Sequence, residues 1–227
     1  MSERAEHGDR EIPGAWSTNA RAWTEAVRQG RIPSRQRVTN AAILEAIFDR
    51  QTTRLLDVGC GEGWLARAVA ARGVSVLGID AVAALVREAQ AAGGGEFAVM
   101  DHRALADEGL EERFDAIVCN FSLLGDADTR AVIGAAPALL AAGGRLLIQT
   151  LHPVVACGEF TYSDGWRDGS WDGIEGDFEA AAPWFFRTLE SWVRLIASSG
   201  LRLERVLEPV DPASGLPASV IFVASAL

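Results

Sequence analysis

From residue 54 onward, short apolar runs alternate with longer stretches whose apolar positions recur at helical spacing. Residues 55–58 read as a strand, followed by a helix over 62–72 that stops at Gly73. A buried second strand, 74–79, ends at Asp80 and leads to a helix over 81–92 halted by Gly93, Gly94 and Gly95. A third strand, 97–100, ends at Asp101, and a fourth, 114–119, is followed by Asn120 and Phe121. A helix over about 129–141 then passes through Gly143 and Gly144 into a fifth strand, 145–150. These crossovers are too long for hairpins, so the pattern predicts a parallel sheet with helices on both faces. The end of the chain differs: a predicted helix, 185–199, precedes strands 201–207 and 219–224 with only a Pro/Gly turn between them. Those two strands should pair antiparallel. Upstream, Trp16, Asn19, Ala20, Trp23, Val27 and Arg28 recur at helical spacing, and 41–47 reads as a second helix.

Between the first strand and the first helix, Asp57 is followed by Gly59, Gly61 and Gly63 in alternation. Glycines at a sharp strand-to-helix turn let backbone N–H groups approach a ligand, with the helix N-terminus behind them. The dinucleotide fingerprint needs two residues between its second and third glycine, and here Trp64 stands at that third position. The string Leu55-Leu56-Asp57-Val58-Gly59-Cys60-Gly61-Glu62-Gly63-Trp64 instead resembles motif I of the class I S-adenosylmethionine-dependent methyltransferases, small-molecule type. Five alternating units and a terminal hairpin match that family's fold, a Rossmann-like α/β sheet of seven mostly parallel strands with an antiparallel last strand. The resemblance covers roughly residues 52–227. The expected organisation is an N-terminal helical lid segment (1–50) and a methyltransferase domain (51–227) carrying a cap insertion (153–184) after strand five.

The resemblance implies a cofactor, S-adenosyl-L-methionine, leaving as S-adenosyl-L-homocysteine, and a set of residues to hold it. Asp57, Gly59, Cys60, Gly61, Gly63 and Trp64 belong to the glycine turn. Asp80, with Ala81, closes strand two, where a carboxylate can accept hydrogen bonds from two vicinal ribose hydroxyls; the alternative is an N-cap for the helix that follows. Asp101 and His102 match the adenine-binding position, with an acidic surface loop as the alternative. Asn120 and Phe121 match the position facing the sulfonium. Ser122-Leu123-Leu124 follows where methyltransferases acting on exocyclic amines of DNA bases carry prolines, which counts against that substrate class. Arg35 is the choice to pair with the cofactor carboxylate. His152, after strand five, is the candidate general base, or else a loop histidine anchoring backbone. Glu62 reads as a first-turn charge beside the helix dipole, and Cys60 has no nearby His partner to make it a nucleophile.

Composition narrows the partners. The formal net charge is −10 and all 21 basic residues are Arg, a balance that argues against nucleic acid. Three scattered cysteines suggest neither a disulfide framework nor a metal site, which suits a cytoplasmic protein, and no apolar run is long enough for a membrane span. Eight of the chain's 17 aromatics fall between Phe160 and Phe186, interleaved with Asp and Glu. So many large rings suit a cap over an active site, formed with residues 1–45 as lid. The acidity of that cap favours a neutral or cationic small-molecule acceptor; a homodimer interface is the alternative use of the same rings. Direct in-line attack on an activated methyl needs a base only when the acceptor must lose a proton. The rival functions are an NAD-dependent oxidoreductase and a non-catalytic or RNA-associated cofactor-binding protein.

Overall fold

The strand predicted at 55–58 lies at the centre of a seven-stranded sheet in the computed structural model, which describes residues 8–227. The first seven residues of the expected lid, His7 among them, lie outside the described residues. The chain runs α1 (Ile12–Arg28), a π-helical turn (Arg35–Thr39), α2 (Asn40–Phe48), β1 (Arg54–Val58), α3 (Trp64–Ala70), β2 (Ser75–Asp80), α4 (Ala83–Ala92), β3 (Glu96–Val99) and α5 (His102–Glu108). It continues with β4 (Phe114–Asn120), α6 (Ala127–Leu139), β5 (Leu140–Thr150), α7 (Pro153–Ala156), β6 (Gly165–Arg167), β7 (Trp184–Phe186), α8 (Leu189–Ala197), β8 (Leu201–Leu207) and β9 (Val220–Ala226). The sheet order is β3-β2-β1-β4-β5-β9-β8. Strands β1 to β5 are parallel, and β9 runs antiparallel to both β5 and β8. The predicted fold is the observed one.

The period-2 alternation of the strands divides the core between two faces. Leu56, Ile117, Leu146 and Phe222 point to a cluster shared with Val132 and Ile133 of α6 and Trp192 and Ile196 of α8. Leu55, Val118, Leu147 and Ile221 point the other way, against Ile43 and Ile47 of α2 and Leu65 and Val69 of α3. Each such side chain contributes about 1.5–3 kcal/mol when fully buried. Helix α2 is therefore part of the core, and the segment free to cover a site is α1 with the turn after it.

Two boundaries differ from the sequence reading. Residues 185–199 are not one helix: Trp184–Phe186 pairs antiparallel with Gly165–Arg167 as a two-stranded hairpin within the cap, and α8 begins only at Leu189. The aromatic run favours a pleated pairing, and Thr188 caps α8 by accepting a hydrogen bond from the Ser191 N–H at 3.1 Å. Strand β5 starts at Leu140, ahead of the predicted 145, because Leu140 pairs with Phe114 before a register shift in the ladder.

Candidate functional site

The three glycines after β1 are required by backbone geometry. Gly59, Gly61 and Gly63 have φ of +75°, +58° and +83°, a region L-side chains rarely enter. A Cβ on Gly59 would also fall on the Cβ of Ser122, whose hydroxyl donates to the Val58 carbonyl at 2.5 Å. The Gly59 and Cys60 N–H groups both donate to the Ile79 carbonyl, at 2.8 and 2.9 Å, tying the turn to β2. Asp80 completes the tie: one carboxylate oxygen accepts from the Gly61 N–H at 2.9 Å and the other from the Val82 N–H at 2.8 Å. Helix α4 starts at Ala83 with Val82 as its N-cap residue, so Asp80 is not the cap. Burial pushes the Asp80 carboxyl up, and its two backbone hydrogen bonds hold it down.

Above this turn lies a cavity of ≈ 810 Å³, within the range of about 300–1,000 Å³ common for small-molecule sites. Eleven residues expected at a cofactor site stand in its walls. The turn supplies Gly59, Cys60, Gly61 and Trp64, and the end of β2 supplies Asp80 and Ala81. Asp101 and His102 come from the start of α5, Asn120 and Phe121 from the end of β4, and Arg35 from the π-helical turn. Asp101 also caps α5, accepting from the Ala104 N–H at 2.8 Å. Burial holds the His102 imidazole below its usual range, against the opposing pull of Asp128, Asp101 and Asp9. Phe121 sits at φ +55°, a strained conformation for a bulky side chain beside a ligand cavity.

Three expected residues are elsewhere. Asp57 is buried beneath the turn and outside the cavity walls; its carboxyl is pushed up to about 7, first by burial, then by Asp80, with Arg35 opposing. Gly63 packs against Ala89, Arg67 and Phe97 at the start of α3. His152 lines a separate, smaller cavity next to the main one and is bonded to Glu208 rather than to backbone. Cys60 is in the wall but does not supply a thiolate: burial and then Asp57 push its thiol up.

Buried polar atoms without partners mark what the cavity is built to receive. Arg35 Nη2, Thr39 Oγ1 and Asn120 Oδ1 are all buried, unbonded and carried by wall residues. Arg35 is stacked on Trp64 at 4.7 Å and faces Trp23 at 5.6 Å, with its Nε donating to Asn40 Oδ1 at 3.2 Å. Burial lowers its pKa to about 10, so it remains cationic at neutral pH. A guanidinium and a hydroxyl suit a carboxylate, and an amide oxygen suits an ammonium. The combination fits an α-amino-acid moiety such as the methionine end of S-adenosylmethionine.

The roof comes from two segments far apart in sequence. Trp16 and Trp23 of α1 meet edge to face at 5.0 Å, and Trp16 meets Trp171 of the cap at 5.4 Å; all three rings line the cavity. Asn19, buried in α1, joins the two segments by donating to the Ala180 carbonyl at 3.1 Å and accepting from the Glu179 N–H at 2.8 Å. Arg28 pins α1 to the turn through Glu62 at 3.0 Å and to α4 through Glu88 at 3.0 Å. Glu62 is thus a buried anchor, also held by Arg67, and not merely a first-turn charge beside the helix dipole. Sequence reasoning missed Thr39 and Glu62 as site residues; Trp171 fell within the expected cap, and Trp16 and Trp23, in the expected lid, were signalled by helical spacing without being singled out. Among the described residues, no cluster of three or more His, Cys, Asp or Glu could hold a metal, and no helix is long and apolar enough to cross a membrane.

Comparison with known proteins shows the family and the fold. A family model described as a methyltransferase domain matches residues 33–206. A ubiquinone biosynthesis O-methyltransferase of Xylella fastidiosa (strain M23) is 38% identical over 107 residues, 45% of this chain and 44% of that protein. Its counterpart in Xanthomonas oryzae pv. oryzae (strain PXO99A) is 35% identical over 113 residues, 48% of this chain and 47% of that protein. The alignments thus span under half the length of these curated relatives. Among solved structures, an S-adenosylmethionine-dependent methyltransferase from Mesorhizobium loti superposes with a TM-score of 0.59 at 22% identity, covering 75% of this chain and 89% of that one. The glycopeptide N-methyltransferase MtfA complexed with sinefungin gives a TM-score of 0.66 at 15% identity, covering 83% of this chain and 86% of that one.

Proposed function

The chain belongs to the methyltransferase-domain family, and from that premise we propose that it moves a methyl group from S-adenosylmethionine to a small-molecule acceptor. The observation that carries the reading is the set of buried, unbonded polar atoms of Arg35, Thr39 and Asn120 around a cavity floored by a left-handed glycine turn. In this reading Arg35 and Thr39 hold the donor's carboxylate and Asn120 accepts from its ammonium. The Asp80 carboxylate takes the ribose hydroxyls, and Asp101 with His102 meets the adenine. The donor supplies a methyl already activated by a positively charged sulfonium, so the protein's task is mainly positioning. It must bring an acceptor atom to about 3–3.5 Å from the methyl, in line.

The roof, with α1 and the turn after it as lid and residues 153–184 as cap, keeps water from that encounter. Asp80, Asp101, Asp128 and Asp172 stand in the cavity walls, which favours a neutral or cationic acceptor over a phosphorylated one. The net charge of −10 makes nucleic acid an unfavourable substrate. Three free cysteines agree with residence in a reducing cytoplasm.

Calorimetric titration with S-adenosylhomocysteine and, separately, with NAD tests the reading. Wild type should bind the first and not the second, and Asp80→Ala should weaken binding about tenfold to more than a hundredfold, for charge-assisted hydrogen bonds worth roughly 1.5–3 kcal/mol each. Preference for NAD, or wild-type affinity in folded Asp80→Ala, would refute it.

A further inference from the structure

A second cavity of ≈ 320 Å³ adjoins the first, sharing Leu151, Ser170 and Ala218 with it. It lies where β5 ends, one strand away from Asn120, and its other walls include Val155, Trp184 and Pro217. Apolar side chains make up most of these walls, with the exposed Asp168 and Ser170 also among them, and about 150 Å³ of apolar space is enough to admit benzene. One buried polar side chain stands among them. His152 is 5% exposed and its Nε2 lies 2.7 Å from a carboxylate oxygen of Glu208, while its Nδ1 is buried with no partner.

A carboxylate only accepts, so in the neutral imidazole Nε2 carries the proton and Nδ1 presents a lone pair. An unmet buried acceptor in an apolar chamber is costly unless a ligand donates to it. We propose that this side chamber binds the methyl acceptor, a neutral ring compound whose apolar body fills the space between Val155, Trp184 and Pro217 and whose hydroxyl donates to His152 Nδ1. The inference rests on the methyltransferase reading for what occupies the main cavity. It narrows the acceptor to a hydroxylated ring, and it makes Glu208 the positioning residue that sets the His152 tautomer.

Phenol and toluene, matched in size, serve as probes, because only phenol can donate. In ¹⁵N-labelled wild-type protein saturated with S-adenosylhomocysteine, His152 should show the Nε2–H tautomer. Phenol should shift Nδ1 saturably and bind at least tenfold tighter than toluene. His152→Phe should keep toluene binding and lose the phenol preference. Glu208→Gln, a change at a half-exposed side chain, should weaken that preference without affecting S-adenosylhomocysteine affinity. An Nδ1–H tautomer, equal binding of the two probes, or no binding of either would overturn the proposal. Loss of S-adenosylhomocysteine binding in wild type would instead count against the methyltransferase reading, and the two failures are read in separate titrations.

Discussion

Arg35 offers the sharpest test of the donor site, because its two possible roles predict opposite outcomes. Its burial holds the guanidinium pKa at about 10, roughly 2.5 units below the usual value and equivalent to about 3 kcal/mol against the charged folded form. The sign is clear: the folded pKa is lowered, so this cost is fully present at every pH below about 10 and fades only as pH approaches the unfolded value. The stacking on Trp64 and Trp23 and the hydrogen bond to Asn40 offset it by about 0.5–2 kcal/mol for each ring and about 1 kcal/mol for the bond. Arg35→Met keeps most of the volume and removes both the cost and its offsets. The unliganded variant should therefore be as stable as wild type to within about 1 kcal/mol, or slightly more stable.

Affinity should move the other way. If Arg35 binds the donor's carboxylate, its loss removes roughly 1.5–3 kcal/mol, or about 10- to 150-fold in Kd. At S-adenosylhomocysteine equal to 100 times the wild-type Kd, the ligand stabilises wild type by about 2.7 kcal/mol and a hundredfold weaker variant by only about 0.4 kcal/mol. Thermal or urea denaturation of both proteins, with and without ligand, reads both quantities. A variant that loses stability without ligand but keeps the full ligand-induced gain would refute the assignment and make Arg35 a structural residue.

Asp57 is pushed up to about 7 in the folded protein, against roughly 4 unfolded. Its raised value makes wild-type stability fall as pH rises from about 4 to about 7, by on the order of 4 kcal/mol. Asp57→Asn should remove that slope in urea midpoints, and identical slopes would dismiss the shift. Gly59→Ala forces a side chain into positive φ, at about 1–2 kcal/mol, and onto Ser122; calorimetry should show S-adenosylhomocysteine binding lost, and intact binding would mean the turn does not contact the ligand. Asn19→Ala cuts the bond pair between α1 and the cap, so hydrogen exchange should quicken across residues 171–181 while the β1 and β4 amides stay protected. Unchanged exchange in the cap would show that the roof is held by its aromatic contacts alone.

The sheet, the glycine turn and eleven of the cavity's wall residues were legible because each follows from a local rule. Alternation in 55–58 and 114–119 sets two buried faces, and Gly59, Gly61 and Gly63 answer a backbone need that no other residue meets at low cost. The misreadings share a different cause. The 185–199 segment carries helical periodicity at its end, yet Trp184, Phe185 and Phe186 are recruited by the partner strand around Trp166, a tertiary override of local preference. Glu62 read only as a first-turn charge beside the helix dipole because its partner Arg28 stands 34 positions away, and Glu208 is 56 positions from His152. The π-helical turn that carries Arg35 and Thr39 to the cavity has no sequence signature, although such turns recur at functional sites.

The contrast among buried arginines separates structural from ligand-binding use in this lysine-free chain. Arg145 is buried, and its two terminal nitrogens donate to the Ala46 and Ile47 carbonyls at the end of α2, at 3.3 and 3.0 Å. Arg187 is buried too, with one terminal nitrogen on the Gly125 carbonyl at 3.0 Å and the other on the Asp126 carbonyl at 2.9 Å. Both guanidiniums staple a helix end, where carbonyls or a first turn need partners. Burial lowers the pKa of both, as it does that of Arg35, so desolvation alone does not distinguish them. What distinguishes Arg35 is an Nη2 left without an acceptor in the wall of the ≈ 810 Å³ cavity. A fold that satisfies the terminal nitrogens of two buried arginines with its own carbonyls has the means to satisfy a third. On the proposed reading, an anion from outside the chain completes the one left open, between two tryptophans and beside the unbonded Thr39 hydroxyl.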